Sequence, residues 1–424
     1  MPRVKTFEFL LEKCEYAELI SLDEYWTQPS PHMTELSLHN FDISDDFFPS
    51  MAPTLRCLEL ETCAFDVTGL RGFNLVKLCL RNLEAAFTTE DIIAELQNFP
   101  ELEELRLSGM AEDDDDDPRS ESVSLSRLQS LDIECNYDTL LYFLDSISFP
   151  KDINLSVRAE STTDMSLVVA TLRDCHGGNQ WKLDRAYIHC EEDELALETA
   201  LHMSRILPGG ESKDTTLFFV WDEDEDRPEA HEIDRVLVSF DLSALHTLEL
   251  SSYLEDLPSE SSEIWTGLFN SAVALQELKI YGGYSNHFIN AFVSFPGSDT
   301  RHDIPRKPMS AAVKSKLETR LRQSGITRFS QLFKLPLLKT LELWRFSISE
   351  SEIETEMDEW PDDVDEVTFA NFMLLRQGFG LKLSKMVISG YEVQDEVLQN
   401  LAKSADHFEY CVDREWRMGV EVED

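Results

Sequence analysis

The chain has 424 residues, and 42% of them are hydrophobic, so a large apolar core is available. Lys and Arg number 37 against 82 Asp and Glu, which gives a formal net charge of −45. This negative charge repels phosphate backbones and anionic lipid surfaces. It therefore argues against nucleic acids and membranes as partners and favours basic proteins.

No segment approaches the roughly 20 consecutive apolar residues that are needed to span a bilayer. Residues 1–13 carry charges inside their apolar region, so we do not expect a secretory signal there. The eight cysteines are scattered and form no C-x-x-C pair. We therefore expect reduced thiols and a cytoplasmic or nuclear location.

One short apolar phrase, Leu-x-x-Leu-x-Leu, returns along most of the chain. It is plainest at Leu102, Leu105 and Leu107, and its last two leucines alternate as in a strand with one buried face. Ahead of the clear copies we predict a short helix over 6–14 and a weak copy at 17–22. The clear copies lie at 33–38, 55–60, 75–80, 102–107, 128–133, 245–250, 275–280 and 338–343. Each copy is predicted to form one strand.

Helix signals lie between the copies. Thr88 precedes two acids in a predicted first turn, a pattern that starts a helix, and Phe99-Pro100 ends it before the next strand. The same order predicts a helix over 138–148, which Phe149-Pro150 ends before a strand at 153–157. Helices and strands are therefore predicted to alternate.

The copies become irregular between residues 150 and 225. We predict strands centred on residues 186 and 217, and helices near 163–175 and 192–206. The strand centres 155, 186, 217, 248 and 278 step by 31, 31, 31 and 30 residues. This regular step indicates that the irregular copies are true repeats, in which strands and helices continue to alternate.

Beyond residue 278 the next clear centre is 341, a gap of 63 residues or two repeat lengths. Within the gap we predict a proline-containing basic insertion at 296–328, which includes a helix over 311–323. An acidic loop is predicted at 350–366. The last predicted elements are a strand at 383–388 and helices around 365–377 and 394–404.

Repeated strand–helix units predict an α/β fold of the solenoid type. The parallel strands would line the concave face of a horseshoe, and the helices would cover its convex face. We predict one solenoid over residues 1–424 with about 12 irregular strand–helix units. Its clearest parts are 33–133 and 245–343.

More than half of the excess negative charge lies in four runs without Lys or Arg. The runs are 112–117, 191–194, 222–226 and 350–366, and they hold 25 of the 82 acidic residues. We interpret them as solvated loops, and docking strips for a basic partner are the alternative.

The predicted concave face is different, because its strand residues include nine acids and seven bases and so nearly balance. It also carries aromatic side chains of the kind that anchor protein interfaces. Tyr281 and Trp344 lie on neighbouring strands, or two strands apart if the long gap hides a strand. The candidate partner-binding residues are Tyr187, Tyr281, Trp344, Arg106, Arg158 and Arg185.

Motifs for catalysis and cofactor binding are missing from the sequence, which contains no G-x-S-x-G, no H-E-x-x-H and no Walker-type phosphate loop. Cys175-His176 and His189-Cys190 are the only cluster of zinc-capable residues, and adjacent ligands rarely converge on one ion. We therefore expect no enzyme activity, no metal and no cofactor.

The repeated phrase resembles that of the leucine-rich-repeat family over most of residues 17–390. The irregular spacing, the Phe-Pro helix ends and the acidic loops are similar to the leucine-rich regions of the large fungal F-box protein families. In those families an N-terminal F-box docks on a ubiquitin-ligase adaptor, and the repeats hold the substrate. Residues 1–26 show no F-box opening and are instead predicted as the first helix and strand of the solenoid.

These observations predict a monomeric, non-enzymatic scaffold that binds a protein partner on its concave face. The family resemblance implies an alternative, a ubiquitin-ligase substrate receptor whose F-box is absent or lost. The net charge supports a further hypothesis, an acidic inhibitor or chaperone of a basic protein.

Overall fold

The structure of the protein is a computed structural model. It describes residues 5–10, 20–21, 32–44, 47–50, 54–82, 88–110, 122–150, 152–160, 165–175, 182–192, 196–206, 212–222, 240–252, 262–282, 292, 335–346, 366–390, 393 and 395–412. The chain divides into two compact units: the first is Met1–Trp181 with Leu195–Arg227, and the second is Lys182–Glu194 with Pro228–Asp424. The predicted basic insertion and its helix lie outside the described residues, and so does the acidic loop up to residue 365.

Nineteen strands occur in the described part of the chain. In order they are β1 (Thr6–Leu10), β2 (Ile20–Ser21), β3 (Glu35–His39), β4 (Phe41–Asp42), β5 (Cys57–Glu61), β6 (Lys77–Arg81), β7 (Glu104–Ser108), β8 (Val123–Ser124), β9 (Ser130–Asn136), β10 (Ile147–Ser148), β11 (Asn154–Glu160), β12 (Leu183–Glu192), β13 (Ala196–Ile206), β14 (Ser212–Asp222), β15 (Thr247–Ser252), β16 (Glu277–Gly282), β17 (Thr340–Phe346), β18 (Leu383–Gly390) and β19 (Ala405–Val412).

The described α-helices are α1 (Phe47–Ser50), α2 (Thr89–Leu96), α3 (Tyr137–Ser146), α4 (Met165–Cys175), α5 (Ser262–Ser271), α6 (Glu366–Gly378) and α7 (Asp395–Lys403). Short 3-10 helices occupy Val67–Leu70 and Leu242–Ala244. The helices predicted at 163–175, 365–377 and 394–404 are confirmed by α4, α6 and α7. Among the described residues, no helix is both long enough and apolar enough to cross a membrane.

In the first unit, nine strands pair in the order β1-β3-β5-β6-β7-β9-β11-β14-β13. Every neighbouring pair is parallel except β14 with β13. In the second unit, six strands pair in the order β12-β15-β16-β17-β18-β19, and all of these pairs are parallel. The predicted α/β class is therefore confirmed, with mostly parallel strands in each unit.

The repeated phrase explains the pairing of the strands in the first unit. Its middle leucines pair in register across five strands, and each is at most 2% exposed. They are Leu36, Leu58, Leu78, Leu105 and Leu131. The third position of each phrase forms a second buried row on the same side, which we call the leucine face. Burying each such side chain is worth about 1.5–3 kcal/mol, so the phrase is the main source of stability of this sheet.

The strands of the second unit have the same construction. Leu248, Leu278, Leu341 and Met386 pair in register and are fully buried. The strand predicted at 383–388 is therefore confirmed as β18. The next strand along the sheet, β19, was not predicted from the sequence.

Capping fixes the helix starts that the sequence predicts. The Thr88 hydroxyl accepts a hydrogen bond from the Asp91 backbone N–H at 3.2 Å, and the Asp91 carboxylate accepts one from the Thr88 N–H at 3.3 Å. This reciprocal pair is a capping box. Asn136 caps α3 by accepting from the Thr139 N–H at 2.8 Å. The apolar side of α3 is buried, and the helix contacts β9, β11 and α4.

The helix predicted over 6–14 is wrong at its start, because Thr6–Leu10 forms β1 and pairs with β3. Phe7 and Phe9 alternate with Thr6 and Glu8, which is the period of a strand rather than of a helix. The weak copy at 17–22 is described only at Ile20–Ser21, which pairs with β4 outside the main sheet.

The helix predicted over 192–206 is also wrong, because residues 196–206 form the antiparallel strand β13. Leu201, Met203 and Arg205 are buried, and they alternate with more exposed residues. Insertion of β13 changes the order of the sheet. β14, which contains the predicted centre at residue 217, pairs with β11, which contains the predicted centre at residue 155. β12, with the predicted centre at residue 186, pairs with β15, with the predicted centre at residue 248. The regular 31-residue step therefore does not mark neighbouring strands.

Two of the acidic runs begin or end inside strands rather than in loops. Glu191 and Glu192 are the last residues of β12, and Asp222 is the last residue of β14. The run at 112–117 lies outside the described residues.

Candidate functional site

The side of each sheet opposite the leucine face is mostly polar, and we call it the charged face. Because the strands pair in register, its side chains form rows that cross the sheet. On the second unit, one row contains Tyr187, Glu249, Lys279 and Glu342, and the next row contains Ser251, Tyr281 and Trp344.

Two aromatic rings form the centre of the charged face of the second unit. Tyr281 on β16 and Trp344 on β17 are register partners, which confirms that they lie on neighbouring strands. Their ring centroids are 5.7 Å apart, and their planes differ by 10°. Both side chains are half-buried. Offset stacking of this kind is worth about 0.5–1.5 kcal/mol beyond the area that it buries.

The polar atoms of the two rings have different surroundings. The pKa of Tyr281 is raised, first because the hydroxyl is partly buried and second because the Glu249 carboxylate is nearby. The Trp344 indole Nε1 is buried and has no hydrogen-bond acceptor among the described residues. Within that part of the chain, the ring is held by packing and stacking rather than by its polar group.

Side chains of opposite charge alternate beside the two rings and form ion pairs. Lys279 Nζ lies 3.3 Å from Glu249 Oε2 and 3.8 Å from Glu277 Oε1. Burial opposes the charge of Lys279, but these carboxylates outweigh it and raise the pKa of the amine. On the other side of the row, Lys385 Nζ lies 2.7 Å from Glu342 Oε1. This hydrogen bond raises the pKa of Lys385.

The other two candidates of the second unit lie apart from the stacked rings. Tyr187 is the register partner of Glu249, so it lies in the row of Lys279 rather than in that of Tyr281. Arg185 is 60% exposed at its side chain, and its Nε lies 3.7 Å from the carboxylate of Asp184. The structure therefore brings Tyr281 and Trp344 into contact and leaves Tyr187 and Arg185 on the same face without a ring contact to them.

Arg106 and Arg158 belong to the first unit. Arg158 Nε lies 3.2 Å from Glu134 Oε1 on the neighbouring strand β9. Arg106 is paired in register with Cys79 and Asp132 and forms no ion pair among the described residues. Neither arginine therefore lies on the strands that carry Tyr281 and Trp344.

The charged face of the first unit is also crossed by ion pairs. Three further pairs of side chains join its strands: Lys77 with Glu104 at 3.5 Å and Arg81 with Glu59 at 3.9 Å form ion pairs, and His39 Nδ1 lies 3.0 Å from Glu61 Oε2. The near-balance of charge that the sequence indicates therefore takes the form of pairs between strands.

One of these pairs extends into a chain of three residues that the sequence reasoning did not single out. Ser37 Oγ is 3.0 Å from His39 Nε2, and His39 Nδ1 is 3.0 Å from Glu61 Oε2. Nucleophile, base and acid have these spacings in serine hydrolases. A Ser-x-His pair on one strand was the only signal in the sequence, and the contact to Glu61 also required the register of β3 and β5.

The surroundings of Ser37 do not support catalysis. Its strand, β3, is hydrogen-bonded to β1 on one side and to β5 on the other, so the backbone N–H groups of β3 are not available to stabilise an oxyanion. Its register partners Glu8 and Glu59 are acidic and would oppose a developing negative charge. We therefore interpret Ser37, His39 and Glu61 as a structural hydrogen-bond chain.

Metal binding is not indicated either. Within the ranges that the structure describes, no three His, Cys, Asp or Glu side chains are grouped so that they could hold a metal ion. Cys57, Cys63, Cys79, Cys135 and Cys411 are free thiols. His176 lies outside the described residues. The prediction that Cys175-His176 and His189-Cys190 do not form a zinc site therefore stays a prediction.

Comparison of the sequence with known protein families found no match, and comparison with curated proteins found none either.

Proposed function

We propose that the protein is a non-enzymatic leucine-rich-repeat solenoid that binds a protein partner through the charged face of its second unit. Tyr281 and Trp344 form the centre of the contact. The repeated phrase and its in-register leucines support the solenoid, because identical positions of successive repeats stack in such folds. The proposed location is the cytoplasm or the nucleus.

The observation that carries this proposal is the stacked pair of Tyr281 and Trp344 on the polar side of the sheet. The core of the sheet lies on the other side, so these rings do not contribute to the leucine face. Tyr and Trp are the residue types that most often dominate the energy of protein interfaces. A preformed stack also offers its ring surface at a low entropic cost, since the two side chains already restrict each other.

The ion pairs beside the rings favour recognition by shape over recognition by charge alone. Lys279 and Lys385 each pair with a carboxylate, so the local charge is nearly neutral. A surface of this kind specifies orientation more than raw affinity. Inhibition of a basic protein remains the second candidate function, because the net charge of −45 attracts cationic partners over long distances.

Affinity purification from native cells, followed by mass spectrometry, would identify the partner. Binding of the purified partner would then be measured for the Tyr281→Ala and Trp344→Ala variants and for their combination. We expect the double variant to lose about 1–2 kcal/mol of binding free energy, which is roughly tenfold in affinity or more.

Leu337→Ala is the matched control, because Leu337 is 52% exposed and lies outside the strands of the second unit. It should bind like the unchanged protein. Equal affinity of the double variant and the control would overturn the proposal. A steep fall of affinity with salt in both would favour the charge-driven function, and co-purification of a ubiquitin-ligase adaptor would favour the substrate-receptor alternative.

A further inference from the structure

The position next to Tyr281, on the side away from Trp344, carries only a small side chain. Trp344 stacks on one face of the Tyr281 ring. On the other side, the register partner of Tyr281 on β15 is Ser251, which is half-exposed. Side chains on a sheet stand roughly perpendicular to it, and neighbouring strands lie about 4.8 Å apart. A serine at this position is too short to cover a tyrosine ring.

A carboxylate lies next to this position. Glu249 precedes Ser251 by two residues on β15 and therefore points to the same side of the sheet. One oxygen of Glu249, Oε2, lies 3.3 Å from Lys279 Nζ, and within the described residues no hydrogen bond or ion pair to the other oxygen, Oε1, is found. Glu249 is also among the groups that raise the pKa of Tyr281, which agrees with its position beside the ring.

We propose that the partner inserts an arginine side chain into the space bounded by Tyr281, Ser251 and Glu249. This proposal rests on the proposed function of the same face and names the chemistry of its partner. The guanidinium stacks on the face of Tyr281 opposite Trp344 and donates hydrogen bonds to Glu249 Oε1. The net charge of −45 draws such a cationic segment towards the protein.

Arginine fits this space better than lysine for two physical reasons. Its planar guanidinium stacks on an aromatic ring while its N–H groups still reach a carboxylate in the ring's vicinity, whereas an ammonium group is compact and strongly hydrated. A cation over an aromatic face is attracted by the ring quadrupole, and arginine is found there more often than lysine. The site should therefore distinguish two side chains of equal charge.

The test uses two synthetic Gly/Ser peptides that differ only in carrying arginines or lysines. Their affinities for the full chain are measured by calorimetry near physiological ionic strength, and the ratio of the two affinities is compared among variants. We expect a ratio of roughly three to five in favour of arginine for the unchanged protein. Tyr281→Ala should reduce the ratio to about one, and Tyr281→Phe should keep it, because phenylalanine retains the ring face.

This design separates stacking from bulk charge, since neither substitution at Tyr281 changes the charge of the protein. Glu249→Gln should weaken binding of the arginine peptide, and Glu277→Gln is its control. Both remove one carboxylate that contacts Lys279, but only Glu249 lies two residues from Ser251 on the same strand. Circular dichroism would confirm that each variant is folded.

An arginine-to-lysine ratio that is the same in the unchanged protein and in Tyr281→Ala would overturn the inference. The proposed function would still stand after that result, provided that the native partner loses affinity in the double alanine variant. Loss of discrimination together with unchanged binding of the native partner would show the opposite: an arginine site that this partner does not use.

Discussion

Glu342 and Lys385 are joined by a 2.7 Å ion pair between neighbouring strands, and Glu342 is only 8% exposed. The carboxylate is thus one of the few charged groups buried on the charged face. Its partner amine is more exposed, and its side chain is 40% accessible. The pair connects β17, which carries Trp344, with β18, so it stabilises the strand on which the aromatic site depends.

Replacing Lys385 with methionine should destabilise the protein, because it leaves the Glu342 carboxylate buried without its counter-charge. We expect a loss of about 1–2 kcal/mol in the free energy of unfolding, less than for a fully buried pair because Lys385 is partly solvated. Urea denaturation would measure it. Lys382→Met is the matched control, since Lys382 pairs with the exposed Asp406 at 2.8 Å and should cost less than about 0.5 kcal/mol. Equal losses in both variants would contradict the expectation.

Replacing Trp344 with phenylalanine should leave the protein at least as stable as before. In the part of the chain that the structure describes, the indole Nε1 is buried without an acceptor, and a buried unpaired donor costs about 1–3 kcal/mol. Phenylalanine removes this cost and keeps an aromatic ring against Tyr281, although it loses part of the packing area. We expect a change between zero and about 1 kcal/mol of stabilisation, measured by urea denaturation. Trp344→Ala provides the contrast, because it removes the stack and should destabilise; a clear loss in the phenylalanine variant would show that Nε1 has a role in the fold.

The sequence is sufficient to predict the strands and much less sufficient to predict their order. The leucines of the repeated phrase are spaced so that one face of each strand is buried. The strands and their register therefore follow directly from the phrase. The segment 196–206 is different, because Leu, Ala and Glu favour helices while tertiary pairing with β14 imposes a strand. A buried arginine at position 205 also conceals the alternation that would have indicated a strand.

The candidate site was likewise predictable from the sequence only in part. Tyr281 and Trp344 could be placed on one face from the phrase alone, because each follows the last apolar position of its copy. Their contact required the pairing of β16 with β17 across a gap of 63 residues, which no local pattern specifies. The contribution of Ser251 was not predictable either, since a serine in a strand has no distinguishing pattern until its neighbours are known.

Alkaline pH should weaken the fold in part through Cys79. Burial, only partly offset by the charge of Arg81, raises the pKa of this thiol from 9.0 to about 11. The folded state thus holds the proton more tightly, and the contribution to stability is complete below pH 9 and is lost as pH rises to about 11. We expect Cys79→Ala to reduce the fall in stability between pH 9 and 11 by about 2 kcal/mol. Urea midpoints at several pH values would test this, with Cys411→Ala, at an exposed position, as the control for removing a thiol.

The capping box at the start of α2 should be worth about 1 kcal/mol. The Thr88 hydroxyl and the Asp91 carboxylate each accept a backbone N–H that the helix itself cannot pair. Thr88→Ala removes the first of these contacts and should lower the free energy of unfolding by about 0.5–2 kcal/mol, while Thr88→Ser should retain most of it. Ile92, Ile93 and Leu96 are buried on the apolar side of this helix, which contacts the 3-10 helix Val67–Leu70, α3 and β8, so fraying at its start would loosen that part of the core. Amide hydrogen exchange would detect such loosening, and unchanged protection of α2 in the alanine variant would show that packing alone holds the helix.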